Sequence, residues 1–125
     1  MRLIGNALNR SYFDELVHEA DRPDLTGIML AVAYVRDLGP LVEVARRRNV
    51  PVTLYALAEE SGFPSIAVLR MFVSDSPTSW QLFLTRSHYH PKIAWFRGVG
   101  CYIGSANLTD GGRISNLECG VWFDQ

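Results

Sequence analysis

Two hydrophobic patterns alternate along the chain: apolar residues at helical spacing, and short runs that are apolar almost throughout. Residues 3–8 are short and mixed, which fits an edge strand. Ser11 followed by Asp14 gives a capping-box-like start. Tyr12, Phe13, Leu16, Val17 and Ala20 then recur at helical spacing and predict a helix over 11–21, with His18 on its solvated side. Asp21 to Asp24, including Pro23, end it. Residues 26–35 form a near-continuous apolar run, which predicts a central strand covered on both faces. Asp37 stands where it can cap a second helix reaching Arg48, with Leu38, Leu41, Val42 and Ala45 facing inward. Arg46, Arg47 and Arg48 close that helix, where cations oppose the macrodipole, and a structural role is preferred for them over a nucleic-acid patch. Residues 51–57 read as another strand, 59–64 as a loop, 65–72 as a third helix and 74–77 as a turn.

The second half is richer in strands. Residues 80–85 and 92–97 are predicted strands, and Gly98-Val99-Gly100 turns the latter into 101–103 as a hairpin. Residues 104–112 read as a loop with one helical turn, and 115–123 as the last strand. The helix–strand–helix–strand opening argues for parallel pairing. The fold class expected is therefore α/β, a mixed β-sheet flanked by helices. A single domain over 1–125 is expected, either complete or the N-terminal part of a longer protein.

Composition narrows the class. The chain has 125 residues, 48% hydrophobic and 20% charged, an ordinary soluble globular balance. No apolar run has the length of a membrane span, and no signal-peptide pattern opens the chain. Cys101 and Cys119 lie in strand-like apolar stretches, so both are expected reduced and buried, in a cytoplasmic setting. A formal net charge of -1 argues against a strongly basic protein that coats nucleic acid, but leaves room for a local basic site. Of the 12 basic residues, 11 are arginine, and the single lysine is Lys92. A compact ammonium group at that position and a leftover of codon bias are equally good readings of this fact alone.

Lys92 sits in the most informative stretch. His90 and Lys92 are two apart at the start of a predicted strand, so their side chains point to one face. Ser105 and Asn107 are likewise two apart, in Gly104-Ser105-Ala106-Asn107. An imidazole, an ammonium, a hydroxyl and a carboxamide that converge suit a phosphate. Lysine supplies charge to the non-bridging oxygens, while serine and asparagine donate hydrogen bonds. A neutral imidazole can attack phosphorus without a metal, and a buried carboxylate such as Glu118 can orient it. Taken singly each part has a structural reading: histidines near strand starts are usually structural, and Gly-Ser-x-Asn is common in turns.

The order and spacing of these parts resemble the phospholipase D superfamily, whose motif runs His-x-Lys-x4-Asp, then Gly-Ser-x-Asn, then a downstream Glu. The resemblance implies that His90 is a nucleophile forming a phosphohistidine and that Lys92 binds phosphate. It also implies that Gly104, Ser105 and Asn107 form the second block, and that Glu118 orients the histidine, as in the small bacterial nucleases of the family. It extends over nearly the whole chain and implies a phospholipase D-like half-domain. One position departs: Arg97 stands where the family has aspartate. That leans toward the restriction-endonuclease-like branch.

Because the family needs two motif copies per site, the resemblance implies either a C2 homodimer, each copy giving one His90 and one Lys92 to a shared cleft, or a second motif copy in a longer protein. It implies metal-independent chemistry with no cofactor. His88 makes a His-x-His pair with His90, but nothing nearby in sequence completes a metal site, so His88 is read as a phosphate contact. Arg86 and Arg113, which flank the two motif blocks, can draw in a polyanion. The function expected is a nuclease, with DNA ranked ahead of RNA. The alternatives are a phospholipid phosphodiesterase or phosphatidyltransferase, against which stands the lack of a basic amphipathic helix, and an inert phosphate- or nucleic-acid-binding domain.

Overall fold

A computed structural model describes residues 1–6, 11–59, 62–74, 76–109, 112 and 116–125. Seven strands form one mixed sheet in the order β1-β7-β6-β5-β2-β3-β4. The strands are β1 (Arg2–Gly5), β2 (Gly27–Val32), β3 (Val52–Leu57), β4 (Gln81–Thr85), β5 (Lys92–Arg97), β6 (Gly100–Gly104) and β7 (Cys119–Asp124). The helices are α1 (Tyr12–Ala20), α2 (Gly39–Arg48) and α3 (Ile66–Val73). β2, β3 and β4 are parallel, and β5, β6, β7 and β1 continue the sheet antiparallel. The α/β class and the mixed sheet expected from the pattern are what the chain forms.

Local chemistry explains most boundaries. Ser11 caps α1, its side chain accepting from the Asp14 N–H, and Ser65 caps α3 through Val68 N–H. α2 begins differently from expectation: Leu38 is the N-cap residue and offers no side-chain bond, while the Asp37 carboxylate accepts from Gly39 N–H at 2.8 Å and Pro40 takes the first turn. Asn49 in left-handed conformation ends α2. The three arginines of α2 have structural partners. Arg46 lies over the Trp80 ring and reaches Glu43, and Arg47 and Arg48 both hold Asp21 at the end of α1.

One core cluster joins the three helices to the inward strand residues, with Phe13, Leu16, Leu41, Leu54, Phe96, Tyr102 and Trp122 all nearly fully buried. All helices thus serve one face of the sheet. This corrects the expectation for β2. Its inward residues Ile28, Leu30 and Val32 are buried, but Met29 and Ala31 on the other face are half-exposed. The cysteine expectation is corrected for the same reason. Both are free, but Cys101 points to that uncovered face and is half-buried, and Cys119 at the start of β7 is exposed. β7 also starts later than 115: residues 116–118 precede the strand, and 113–115 lie outside the described residues.

Among the described residues, no helix is long and apolar enough to cross a membrane.

Candidate active site at the carboxyl end of the sheet

Register decides where the motif residues meet. Lys92 at the start of β5 pairs with Val32 at the end of β2, so everything before β5 and after β2 shares one end of the sheet. β6 ends at that edge with Gly104, opposite Gly120 of β7, so Ser105–Asn107 and Glu118 arrive there too. This is the carboxyl end of the parallel strands, the usual location of ligands in open α/β sheets.

His90 is exposed on the connection from β4 to β5, and Lys92 is half-buried at the strand start. Lys92 Nζ donates to the backbone carbonyl of His90 at 3.2 Å, so the ammonium is held against the histidine's own backbone. Among the described residues no carboxylate pairs with Lys92.

Asn107 is fixed from two sides. Its carbonyl accepts from the Tyr12 hydroxyl at 2.6 Å, and its Oδ1 accepts from the Tyr34 N–H at 3.4 Å. Tyr34 follows β2, and its ring stands edge-on to the His90 imidazole with centroids 5.8 Å apart. Tyr34 therefore links the histidine block to the asparagine block. The sequence reading missed it, and its only signal was an aromatic residue just past a central strand.

Ser105 and Glu118 are joined directly. The Ser105 hydroxyl donates to Glu118 Oε2 at 2.5 Å and accepts from the Cys119 N–H at 3.2 Å, while Asn116 Nδ2 donates to Glu118 Oε1 at 3.2 Å. One expectation for Glu118 is corrected here: it is half-exposed rather than buried. Within one chain its carboxylate accepts from Ser105 and Asn116. No hydrogen bond joins it to the His90 ring among the described residues.

Gly104 has a structural reason to be glycine. Tyr102, two residues earlier on the same face, lays its ring over Gly104 and over its register partner Gly120. A Cβ on Gly104 would lie 2.2 Å from the Tyr102 hydroxyl, and one on Gly120 2.4 Å from the ring. Burial pushes the Tyr102 phenol up to about 12, with the nearby Glu118 charge adding to the effect. Its hydroxyl has no hydrogen-bond partner among the described residues, although the Ala106 backbone amide lies close by.

The remaining candidates divide. Arg86 and His88 are exposed on the β4–β5 connection, close in sequence to His90. Ser87 and His88 there adopt positive φ of 31° and 59°, a conformation rare outside glycine. Arg97 lies at the opposite end of β5, its guanidinium over Gly27, far along the strand from Lys92. Arg113 lies outside the described residues. Among those described, no group of three His, Cys, Asp or Glu side chains gathers to hold a metal ion.

No protein-family model and no curated protein matches the sequence. Solved structures do match its shape. A phospholipase D family member, Nuc from Salmonella typhimurium, superposes with a TM-score of 0.71 at 20% identity, over 99% of this chain and 82% of its own. Polyphosphate kinase from Porphyromonas gingivalis gives 0.69 at 15% identity, over 99% of this chain but 23% of its own. Yeast tyrosyl-DNA phosphodiesterase gives 0.58 at 13% identity, over 97% and 31%. The chain spans about four-fifths of the small protein and a third or less of the two larger ones. Sheet order, helix placement and these superpositions together establish that the chain has the phospholipase D fold.

Proposed function

We propose that the chain is a metal-independent phosphodiesterase, a nuclease acting through a covalent phosphohistidine. The observation that carries this reading is the gathering of His90, Lys92, Asn107, Ser105 and Glu118 at one end of the sheet, with Tyr34 between the first and third. In the first step an imidazole nitrogen of His90 bonds to phosphorus and the P–O bond to the leaving alcohol breaks. That oxygen takes a proton from His90 of the partner subunit. In the second step water gives a proton back to that imidazole, and its oxygen displaces His90 from phosphorus. Lys92 neutralises the non-bridging oxygens. Asn107, with Oδ1 occupied by Tyr34, turns its amide hydrogens to the same oxygens. Ser105 is oriented by Glu118. Arg86 and His88 extend the anionic subsite along the incoming strand.

These 125 residues carry one such set, and the reading completes the site with a second set, supplied by a C2 partner or by a further motif copy. DNA is the preferred substrate, ahead of RNA, in keeping with the tyrosyl-DNA phosphodiesterase among the fold neighbours. A second reading, a phosphate-binding domain without turnover, draws on two observations. Glu118 is engaged by Ser105 rather than by the histidine, and Arg97 points away from the site.

Wild type and His90→Ala, assayed on labelled single- and double-stranded DNA in EDTA, separate the two. Cleavage by wild type that is lost in the variant and indifferent to chelation is the expected result. A wild type that binds DNA without cutting it supports the second reading. Activity that dies with EDTA overturns the metal-independent mechanism.

A further inference from the structure

Asn6 directly follows β1, and its carboxamide is engaged on both sides. Nδ2 donates to the carbonyls of Gly112 and Asn116, each at 2.9 Å, and Oδ1 accepts from the Tyr12 N–H at 2.9 Å. The backbone N–H of Asn6 donates to the carbonyl of Glu118 at 3.0 Å. One side chain and its own peptide thus hold three points of the connection from β6 to β7, together with the first residue of α1.

The points it holds back directly onto Asn107. Gly112 packs so closely there that an added Cβ would lie 2.3 Å from the Asn107 carbonyl oxygen. That same oxygen accepts from the hydroxyl of Tyr12, whose N–H Asn6 takes. The Asn107 peptide is therefore seated between Gly112 and Tyr12, both tied to Asn6, while its side chain accepts from Tyr34 N–H. Further along the connection, Asn6 holds the backbone of Asn116 and of Glu118, the pair whose side chains meet at 3.2 Å.

We infer that Asn6 is a positioning residue of the candidate site, seating Asn107 and Glu118 at the end of the sheet. What Asn107 then does to a substrate rests on the phosphodiesterase reading; where it stands rests on these hydrogen bonds alone. The competing role is local: Asn6 satisfies one orphan N–H at the start of α1 and nothing more. For that role aspartate serves at least as well, because a carboxylate accepts the same N–H and gains from the helix dipole. For the seat it fails. Two carbonyls need two donor hydrogens beside the acceptor oxygen, which a carboxamide supplies and an ionised carboxylate does not. Aspartate would set an anionic oxygen against both carbonyls.

Asn6→Asp therefore separates the two roles, with Asn6→Ala beside it. Amide hydrogen exchange reads the site without requiring activity: Tyr34 N–H reports Asn107, Cys119 N–H reports Ser105 beside Glu118, Tyr12 N–H reports the helix end, and Ile28 N–H reports the middle of the sheet. In Asn6→Asp, Tyr12 and Ile28 are expected to exchange as in wild type, with Tyr34 and Cys119 about tenfold faster. Cleavage of labelled DNA in EDTA is expected to lose about tenfold in kcat with KM near wild type. Asn6→Ala is expected to quicken Tyr12 as well. An Asn6→Asp protein that matches wild type at Tyr34 and Cys119 overturns the inference, as does one in which Ile28 quickens equally, a general loss of stability. Faster exchange at Tyr34 and Cys119 with an unmoved kcat also overturns it, since the seat would then have no bearing on the reaction. A wild type that leaves DNA uncut fails the phosphodiesterase reading instead, and exchange at Tyr34 and Cys119 then decides the seat by itself.

Discussion

The ring of Tyr34 meets the imidazole of His90 edge-on, at 74° and 5.8 Å between centroids. The same ring also packs against Gly62, where an added Cβ would lie 2.4 Å from it. A histidine on an exposed connection is thus braced by a residue that is itself wedged in place. Such edge-to-face contacts contribute about 0.5–1.5 kcal/mol, enough to favour one orientation of a ring several-fold.

If the brace orients a nucleophile, Tyr34→Ala lowers kcat about tenfold, equivalent to about 1.4 kcal/mol of lost transition-state stabilisation. KM is expected to move little. Tyr34→Phe keeps the ring and the backbone N–H to Asn107, so its kcat stays near wild type. Steady-state kinetics on DNA read the difference, and equal losses in both variants would remove the brace from the mechanism.

Glu118 and Ser105 make a separate prediction. The carboxylate accepts from Ser105 and Asn116, and Ser105 in turn accepts from Cys119 N–H, so these four residues tie the start of β7 to the end of β6. Glu118→Ala is expected to lower unfolding free energy by about 1–2 kcal/mol, a charged hydrogen bond discounted for the exposure of Ser105. Glu118→Gln keeps an acceptor for Ser105 and recovers most of the loss. Urea unfolding of the two variants measures it. Should Glu118→Ala unfold at the wild-type midpoint, the tie has no structural worth.

What the sequence revealed and what it hid follow from the kind of interaction involved. The helices were legible because capping serines and helical spacing are local signals, as at Ser11 and Ser65. β2 was placed correctly as a central strand. Its cover was misread because Met29 and Ala31, which face outward, are apolar too, and the two-residue alternation that marks a half-exposed strand vanishes. Asp37 sits one residue before the N-cap position it was expected to fill, since Pro40 fixes where the helix starts. The motif residues of the site could be picked out by type and spacing. Tyr34 could not, because it acts through a backbone N–H and a ring edge, which any residue and many aromatics supply. The partner of Glu118 depended on register: Gly104 opposite Gly120 sets the serine, rather than the histidine, beside the carboxylate.

The glycines of that register pair are sensitive positions. Gly104→Ala and Gly120→Ala each drive a Cβ into Tyr102, whose buried ring has little room to retreat. Each is expected to cost about 1–3 kcal/mol, read from thermal or urea midpoints. For Gly104→Ala the nearest atom is the Tyr102 hydroxyl, so Tyr102→Phe relieves part of the clash. The double variant should be more stable than the sum of the two single effects implies. Strict additivity would mean the ring shifts freely.

Tyr102 also sets a limit at high pH. Its phenol is 2% exposed, lacks a hydrogen-bond partner among the described residues, and is raised to about 12 from the ordinary value of 10.0, chiefly by burial. A group whose folded pKa lies above its unfolded one holds its proton more tightly when folded. Its contribution is therefore complete below the unfolded value, near pH 10, and is lost as pH rises toward 12. Across that window the chain is expected to lose about 2–3 kcal/mol through this residue. Tyr102→Phe removes the titration and the unpartnered hydroxyl together. At pH 7 the variant should be as stable as wild type or slightly more so, and above pH 10 it should outlast wild type. Urea unfolding at both pH values provides the comparison, and parallel decline of the two proteins would show that the phenol is not what fails in alkali.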